Sequence, residues 1–204
     1  MFEILTLPFM QRALLGGAVV SLILGWLGVF ITSRNMSFIG AGIAHASLGS
    51  IALAIVLGWT PLPVALILSV FLAVALYWLD QKTNVSRDTA IGIIFAAGMA
   101  LGILLLQYHE GYVPELVGFL FGNILAVKTL DLWLVVAVGG AVLFLLSWFW
   151  RQLTFTTVDA EGAQLAGVNR SAIDLLMYVL TAVSVVLSIK LVGIVLVSAL
   201  LVLP

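Results

Sequence analysis

Apolar runs of about 15 to 20 residues, the length that suits a membrane crossing, alternate along the chain with short polar or turn segments. Six such runs cover residues 13–32, 38–58, 62–79, 90–106, 132–150 and 172–189, and a seventh begins at Leu191. A helix crosses a hydrocarbon layer of roughly 30 Å with about 20 residues, and it satisfies its own backbone hydrogen bonds there. The pattern therefore predicts an all-α fold, a polytopic bundle of transmembrane helices.

A shorter apolar stretch covers residues 116–127 and contains Gly118, Gly122 and Asn123. It is too short to cross a bilayer comfortably. Glycine-rich, half-length segments are tolerated at membrane depth where they line a cavity or are buried in protein. We predict a short re-entrant helix here, and a short true span is the alternative.

Cationic residues give the orientation of the bundle. If residues 116–127 do not span, the loops after the first, third and fifth runs all lie on one side, and they carry Arg34, Lys82, Arg87, Arg151 and Arg170. The positive-inside rule places these loops in the cytoplasm and the N-terminus outside.

Composition agrees with a membrane protein, because the chain is 64% hydrophobic and only 8% charged, whereas soluble domains carry about a quarter charged residues. The formal net charge of −1 gives no reason to expect nucleic acid as a partner. The chain has no cysteine, which excludes disulfides, thiolate metal sites and cysteine nucleophiles. We interpret residues 1–204 as a single transmembrane domain surrounded by membrane lipid.

The last apolar run, from Leu191 to Pro204, is shorter than the roughly 20 residues of a complete span. We therefore expect the domain to be truncated at its C-terminus.

His45 is the one histidine inside an apolar run. Its neighbours at helical spacing include Ala41, Gly42 and Gly49, small residues that allow a second helix or subunit to come close. An ionisable group inside a membrane is a functional candidate by default, here a metal ligand in a translocation path. The alternative is a neutral histidine that only packs and hydrogen-bonds, because a lone imidazole is not a metal site.

Three residues on the outer side offer nitrogen and oxygen ligands to a divalent cation: His109, Glu110 and Glu115. We predict an outer entrance there, with an ordinary solvated loop as the alternative. Spacing also predicts close helix packing at the pairs Gly98–Gly102 and Gly118–Gly122.

The segment between Arg151 and Arg170 contains a short predicted helix. Asp159 is suited to cap it, Glu161 lies in its first turn, and Gly167 is suited to end it. An exposed cytoplasmic helix of this kind suits docking onto another protein, and packing on its own subunit is the alternative.

The chain lacks the phosphate-binding loop of an ATPase, because Val127 precedes Lys128-Thr129 where that motif requires glycine. The apolar runs also hold almost no carboxylate or lysine of the kind that binds coupling ions in secondary transporters. We therefore expect no enzymatic activity in this chain and an energy source in a separate subunit.

Four stretches together resemble the permease subunits of the ABC importers for zinc, manganese and related divalent metals. They are SFIGAGIAHA at 37–46, DTAIGII at 88–94, LFGNIL at 120–125 followed by Asp131-Leu132, and VGIVLVSALL at 192–201. Asp159, Glu161 and Gly167 are similar to the segment of that family that couples to the ATPase.

The resemblance implies a multi-pass permease in the cytoplasmic (inner) membrane of a prokaryote. It implies three kinds of partner: a second copy of the chain, cytoplasmic ATP-binding subunits and an extracytoplasmic metal-binding protein. The divalent metal ion is then the cargo, ATP binds in the partner subunit, and this chain holds no cofactor of its own.

One position departs from the family pattern, because Ala41 stands where the first motif usually has aspartate. The metal specificity is therefore open. Two other functions are kept as alternatives, an ABC permease for a metal chelate and a secondary transporter or channel.

Overall fold

The computed structural model describes residues 7–82, 86–107, 114–124 and 127–202. Every longer regular element in these ranges is an α-helix, which confirms the all-helical prediction. The helices are α1 (Pro8–Ser33), α2 (Phe38–Val56), α3 (Pro61–Lys82), α4 (Arg87–Leu106), α5 (Pro114–Phe121), α6 (Thr129–Trp148), α7 (Trp150–Val158), α8 (Ala160–Leu165), α9 (Arg170–Val192) and α10 (Ile194–Val202).

Six of the described helices are long and apolar enough to cross a membrane: α1, α2, α3, α4, α6 and α9. Each coincides with one of the six predicted runs. Helix α1 begins at Pro8, before the predicted start at Ala13, because proline lacks the amide hydrogen that a helix leaves unbonded in its first turn.

Two helices form the centre of the bundle. The most apolar windows of α2 and α9 are 61% and 67% buried, against 22–28% for α3, α4 and α6. Helix α9 contacts α1, α2 and α3 along its length and also reaches α5 to α8 and α10. The peripheral helices instead expose large apolar side chains, such as Phe71 and Phe144, as expected of surfaces that face lipid.

Helices α2 and α4 touch backbone to backbone. A Cβ atom built on Gly98 would lie 2.5 Å from the Cα atom of Ala46, and one on Gly49 would lie 2.9 Å from the carbonyl oxygen of Gly98. Gly102 meets Gly49 in the same seam. The predicted packing role of the pair Gly98–Gly102 is confirmed, whereas Gly118 faces open space.

Two helix ends meet at Gly122, after α5, and at Gly193, between α9 and α10. Both residues have positive φ angles, 76° and 87°, in the region that favours glycine. Each lies against the main chain of the other, and the amide of Asn123 donates to the carbonyl of Lys190 at 3.3 Å. Helix α5 has eight residues, in agreement with a short element at 116–127, and its re-entrant position stays a prediction.

The segment predicted as a cytoplasmic loop between Arg151 and Arg170 is largely helical, because α7 and α8 occupy it. Helix α7 escaped prediction because its sequence is polar and short. Leu153 and Thr156 on its inner face are buried against the ends of the long helices.

The seam between α2 and α4 predicts a large difference between two glycines of α4. Gly98→Ala should destabilise the protein by about 1–3 kcal/mol, because the added methyl group meets backbone that cannot move aside. Gly92→Ala is the control, since a Cβ at Gly92 meets nothing within 4 Å and alanine is the better helix former. Thermal unfolding in detergent measures both, and equal melting temperatures would contradict the seam.

The orientation predicts opposite labelling at two exposed positions, since the chain has no native cysteine. In intact cells a membrane-impermeant maleimide should label Thr60→Cys, in the connection between α2 and α3, and should leave Gln164→Cys of α8 unlabelled. Permeabilised cells should show labelling of both. Labelling of Gln164→Cys from outside would reverse the orientation that the arginines predict.

Candidate functional site

His45 lies on α2 within the seam that α2 forms with α4. Its ring is half-buried, and its centroid lies 4.9 Å from that of Phe95 on α4. The small residues predicted to admit a second helix do so here, because Gly42 packs on Ile91 and Gly49 on Gly98. The helix that approaches the His45 region through these two glycines is therefore α4 of the same chain.

The imidazole of His45 keeps one polar atom without a partner. Its Nδ1 atom is buried and makes no hydrogen bond within the part of the chain that the structure describes. A neutral imidazole carries one donor nitrogen and one acceptor nitrogen. An unpaired buried polar atom costs free energy unless a ligand, water or partner group satisfies it, so His45 has an unused capacity to bind.

The part of the chain that the structure describes does not form a complete metal site by itself. Residues 7–82, 86–107, 114–124 and 127–202 contain no group of three or more histidine, cysteine, aspartate or glutamate side chains that could hold a metal ion. His109 and Glu110 of the predicted outer entrance lie outside the described residues, and Glu115 lies in α5 with its side chain also outside them. Their role stays a prediction.

An ion pair lies at the end of the bundle where α6 begins and α9 ends. The Nζ atom of Lys190 lies 2.6 Å from the Oδ2 atom of Asp131. The same carboxylate accepts a hydrogen bond from the backbone amide of Lys128 at 3.1 Å and so caps α6. A cavity of about 450 Å³ opens beside this pair, between α3, α5, α6 and α9.

At the opposite end of the bundle, α8 has the local structure predicted for it. The Oδ1 atom of Asp159 accepts from the amide of Gly162 at 2.8 Å, and Gly167 ends the turn with a φ of 84°. Ala163 is buried, so the helix is anchored on one side. Its other side is open to solvent, with Glu161 exposed and Leu165 90% exposed.

Arg34 joins the end of α1 to α7 and to the first turns of α9. Its guanidinium donates to Asp174 at 2.7 Å, to Thr156 at 2.6 Å and to Thr157 at 2.9 Å. Burial lowers the pKa of Arg34, and the neighbouring Asp174 opposes that effect. The side chain remains charged at neutral pH because the ordinary pKa of an arginine lies far above 7.

A second cluster joins α3, α4 and α9 beside Arg34. Arg87 donates to both carboxylate oxygens of Asp80, at 3.1 to 3.2 Å, and to the carbonyl of Arg34 at 3.3 Å. Tyr178 of α9 donates to Asp80 at 2.9 Å. Three helix ends are therefore held together by charge-assisted hydrogen bonds, which are stronger than neutral ones.

Sequence reasoning used the arginines only as markers of the cytoplasmic side and missed their partners Asp80 and Asp174. It also missed Tyr178, which donates to Asp80. The spacing of Arg170 and Asp174, four residues apart on one helix, was a usable signal. No local signal links Arg34 to Asp174, because the two lie 140 residues apart in the chain.

Comparison with known proteins gives one consistent family. Residues 6–204 match the ABC 3 transport family. The chain is 37% identical to the high-affinity zinc uptake system membrane protein ZnuB of Haemophilus influenzae, over 100% of this chain and 76% of that protein. It is also 37% identical to the manganese transport system membrane protein MntC of Halalkalibacterium halodurans, over 99% of this chain and 69% of that protein.

A solved structure shares the fold. A chain in the structure of PsaBC from Streptococcus pneumoniae in complex with Fab superposes with a TM-score of 0.82 and 34% identity, over 97% of this chain and 71% of that chain. The chain is thus a multi-pass membrane protein and belongs to the ABC 3 transport family.

Proposed function

We propose that this chain is the membrane-spanning subunit of an ATP-driven importer for divalent metal ions of the zinc or manganese class. The observation that carries the proposal is the similarity, over nearly the whole chain, to proteins named for zinc uptake and for manganese transport. Two copies of the chain work with cytoplasmic ATP-hydrolysing subunits and an extracytoplasmic metal-binding protein. Hydrolysis belongs to the partner subunits, and the metal ion is cargo.

His45 lines the path of the ion in this proposal. Its buried, unpartnered Nδ1 atom supports this role, because a passing cation would satisfy the atom. A single imidazole makes an incomplete site, and a symmetric partner copy adds a second one. A weak site suits transport, since conduction requires that the ion be able to leave.

The residue Ala41 bears on the choice between the two metals. With alanine at this position, the turn before His45 supplies no carboxylate. Imidazole suits zinc, whereas carboxylate ligands suit manganese. Of the two ions, zinc is therefore the better fit to this chain.

Helix α8 serves as the contact to the ATP-hydrolysing subunit. It stands at the cytoplasmic end of the bundle. Its Leu165 is 90% exposed, and Val158 at the end of α7 is 81% exposed. No lipid is expected to cover either residue there. Helix α8 also contacts α7 and α9. In this proposal, a movement of α8 caused by the ATP-hydrolysing subunit is transmitted to the ends of the long helices through these contacts. Helix α5 is the re-entrant element on the outer side, next to an entrance at His109, Glu110 and Glu115.

Assembly with partner proteins can be tested directly. The chain should co-purify with a cytoplasmic ATP-hydrolysing subunit, and binding protein loaded with free metal should stimulate hydrolysis. Glu161→Lys should weaken association or transport by about tenfold, because loss of one docking contact costs on the order of 1 to 2 kcal/mol. Pull-down and hydrolysis rates measure both effects.

Gln152→Lys is the matched control, because Gln152 is exposed on the neighbouring helix α7 and the change also adds a cation. It should leave association and transport unchanged. Stimulation by a metal chelate in place of the free ion would reassign the cargo. Unchanged association and uptake in Glu161→Lys would remove the docking role.

Substitutions of His45 should change metal uptake. In proteoliposomes containing the assembled importer, His45→Ala should reduce zinc uptake by about tenfold or more, the scale expected for loss of a metal-site residue. His45→Gln should be similarly impaired, because glutamine keeps hydrogen bonding but offers zinc no nitrogen lone pair. Zinc should outcompete manganese in the unmodified protein.

The opposite pattern would show a packing role. If His45→Gln transports normally while His45→Ala lowers the melting temperature, then the imidazole serves packing and hydrogen bonding. The metal path would then lie elsewhere.

A further inference from the structure

A small polar cavity of about 120 Å³ lies at the cytoplasmic ends of α1, α4, α7 and α9. Its volume is well above the roughly 10–15 Å³ that one water molecule needs. The polar residues that line it are Arg34, Arg87, Arg170, Thr156, Asp174 and Tyr178. Three guanidinium groups therefore share one cavity. Their positive charges repel one another unless anions are present.

The carboxylates at this place do not balance the arginines. Asp174 pairs with Arg34 at 2.7 Å, and Asp80 pairs with Arg87 at 3.1 Å. Arg170 has only a second, longer contact to Asp174, at 3.5 Å, and its side chain is half-exposed. The cluster of three arginines and two aspartates thus keeps one positive charge in excess.

The donors of the three arginines differ in their availability. Arg34 is almost buried, and its guanidinium already donates to Asp174, two threonines and a carbonyl. It therefore forms part of the cavity wall. Arg170 makes no more than its long contact to Asp174 among the described ion pairs. Its planar fork is therefore available to an incoming anion in a bidentate arrangement.

Backbone dipoles add to the same positive field. Helix α4 begins at Arg87 and helix α9 begins at Arg170, so the first residue of each of these two long helices lines the cavity. One amide in each first turn is already capped, by Ser86 in α4 and by Asn169 in α9. A helix N-terminus carries partial positive charge and is suited to phosphate. Asp88 in the first turn of α4 is exposed and does not line the cavity.

We propose that this cavity binds a phosphate group. Bidentate arginine donors together with two helix N-termini match the geometry and charge of phosphate. The phosphate has two chemical sources at a cytoplasmic membrane surface, the headgroup of an anionic phospholipid and free inorganic phosphate. Binding neutralises the excess charge and fastens α1, α4, α7 and α9 together beside α8.

The test is thermal unfolding of the purified full chain in detergent. One pair of samples compares micelles that contain phosphatidylglycerol with micelles that contain phosphatidylcholine. A second pair compares inorganic phosphate with chloride at equal ionic strength. A rise in melting temperature with phosphatidylglycerol alone identifies the lipid headgroup, and a rise with inorganic phosphate identifies the free anion.

Arg170→Gln should weaken the binding of the effective probe about tenfold, because charge-assisted hydrogen bonds are lost. Arg151→Gln is the matched control, since it removes the same charge from an exposed site on α7 outside the cavity. It should bind like the unmodified protein. Arg170→Lys keeps the charge without the planar fork and should bind with intermediate affinity, which also guards against a folding defect in the glutamine variant.

Two results would overturn the proposal. One is a melting temperature that neither phosphatidylglycerol nor inorganic phosphate raises. The other is an equal loss in Arg170→Gln and Arg151→Gln, which would mean that the anion responds only to the general charge of the cytoplasmic face.

Discussion

Polar groups inside a bilayer must find their partners within the protein, because hydrocarbon offers none. The bundle meets this constraint by placing its ion pairs at the helix ends. Arg34 with Asp174 and Arg87 with Asp80 lie on one face, and Lys190 with Asp131 lies on the other. Between these two layers, in the described part of the chain, the buried side-chain atoms without a partner are Nδ1 of His45 and Oγ of Ser184. The unpaired Nδ1 atom of His45 is the reason for treating this residue as a candidate binding group.

Helix α4 extends from the arginine cluster at one end of the bundle to His45. Its first residue, Arg87, is bonded to Asp80 and to the carbonyl of Arg34. Further along, Phe95 lies against the imidazole and Gly98 lies against the backbone of α2. The backbone contact leaves no side chain between the two helices at Gly98, so α2 and α4 have little room to approach each other further there.

The parts of this structure that sequence reasoning found are those with local causes. Helix length determines the spans, and the cap at Asp159 involves an amide only three residues away. The helix-end network has non-local causes, since Tyr178 and Asp80 lie 98 residues apart. Helix α7 was not predicted, because its sequence is short and polar and therefore does not resemble a membrane span. For His45, the sequence predicted small neighbours but not that they would meet α4 of the same chain.

Gly122 and Gly193 determine which residues can occupy the contact between the end of α5 and the start of α10. Each glycine occupies space that a side chain on the other would need, and each holds a left-handed backbone conformation. A side chain at either position would meet main-chain atoms and would also have to adopt a backbone conformation that favours glycine. A substitution at one position therefore cannot be relieved at the other, which already lacks a side chain.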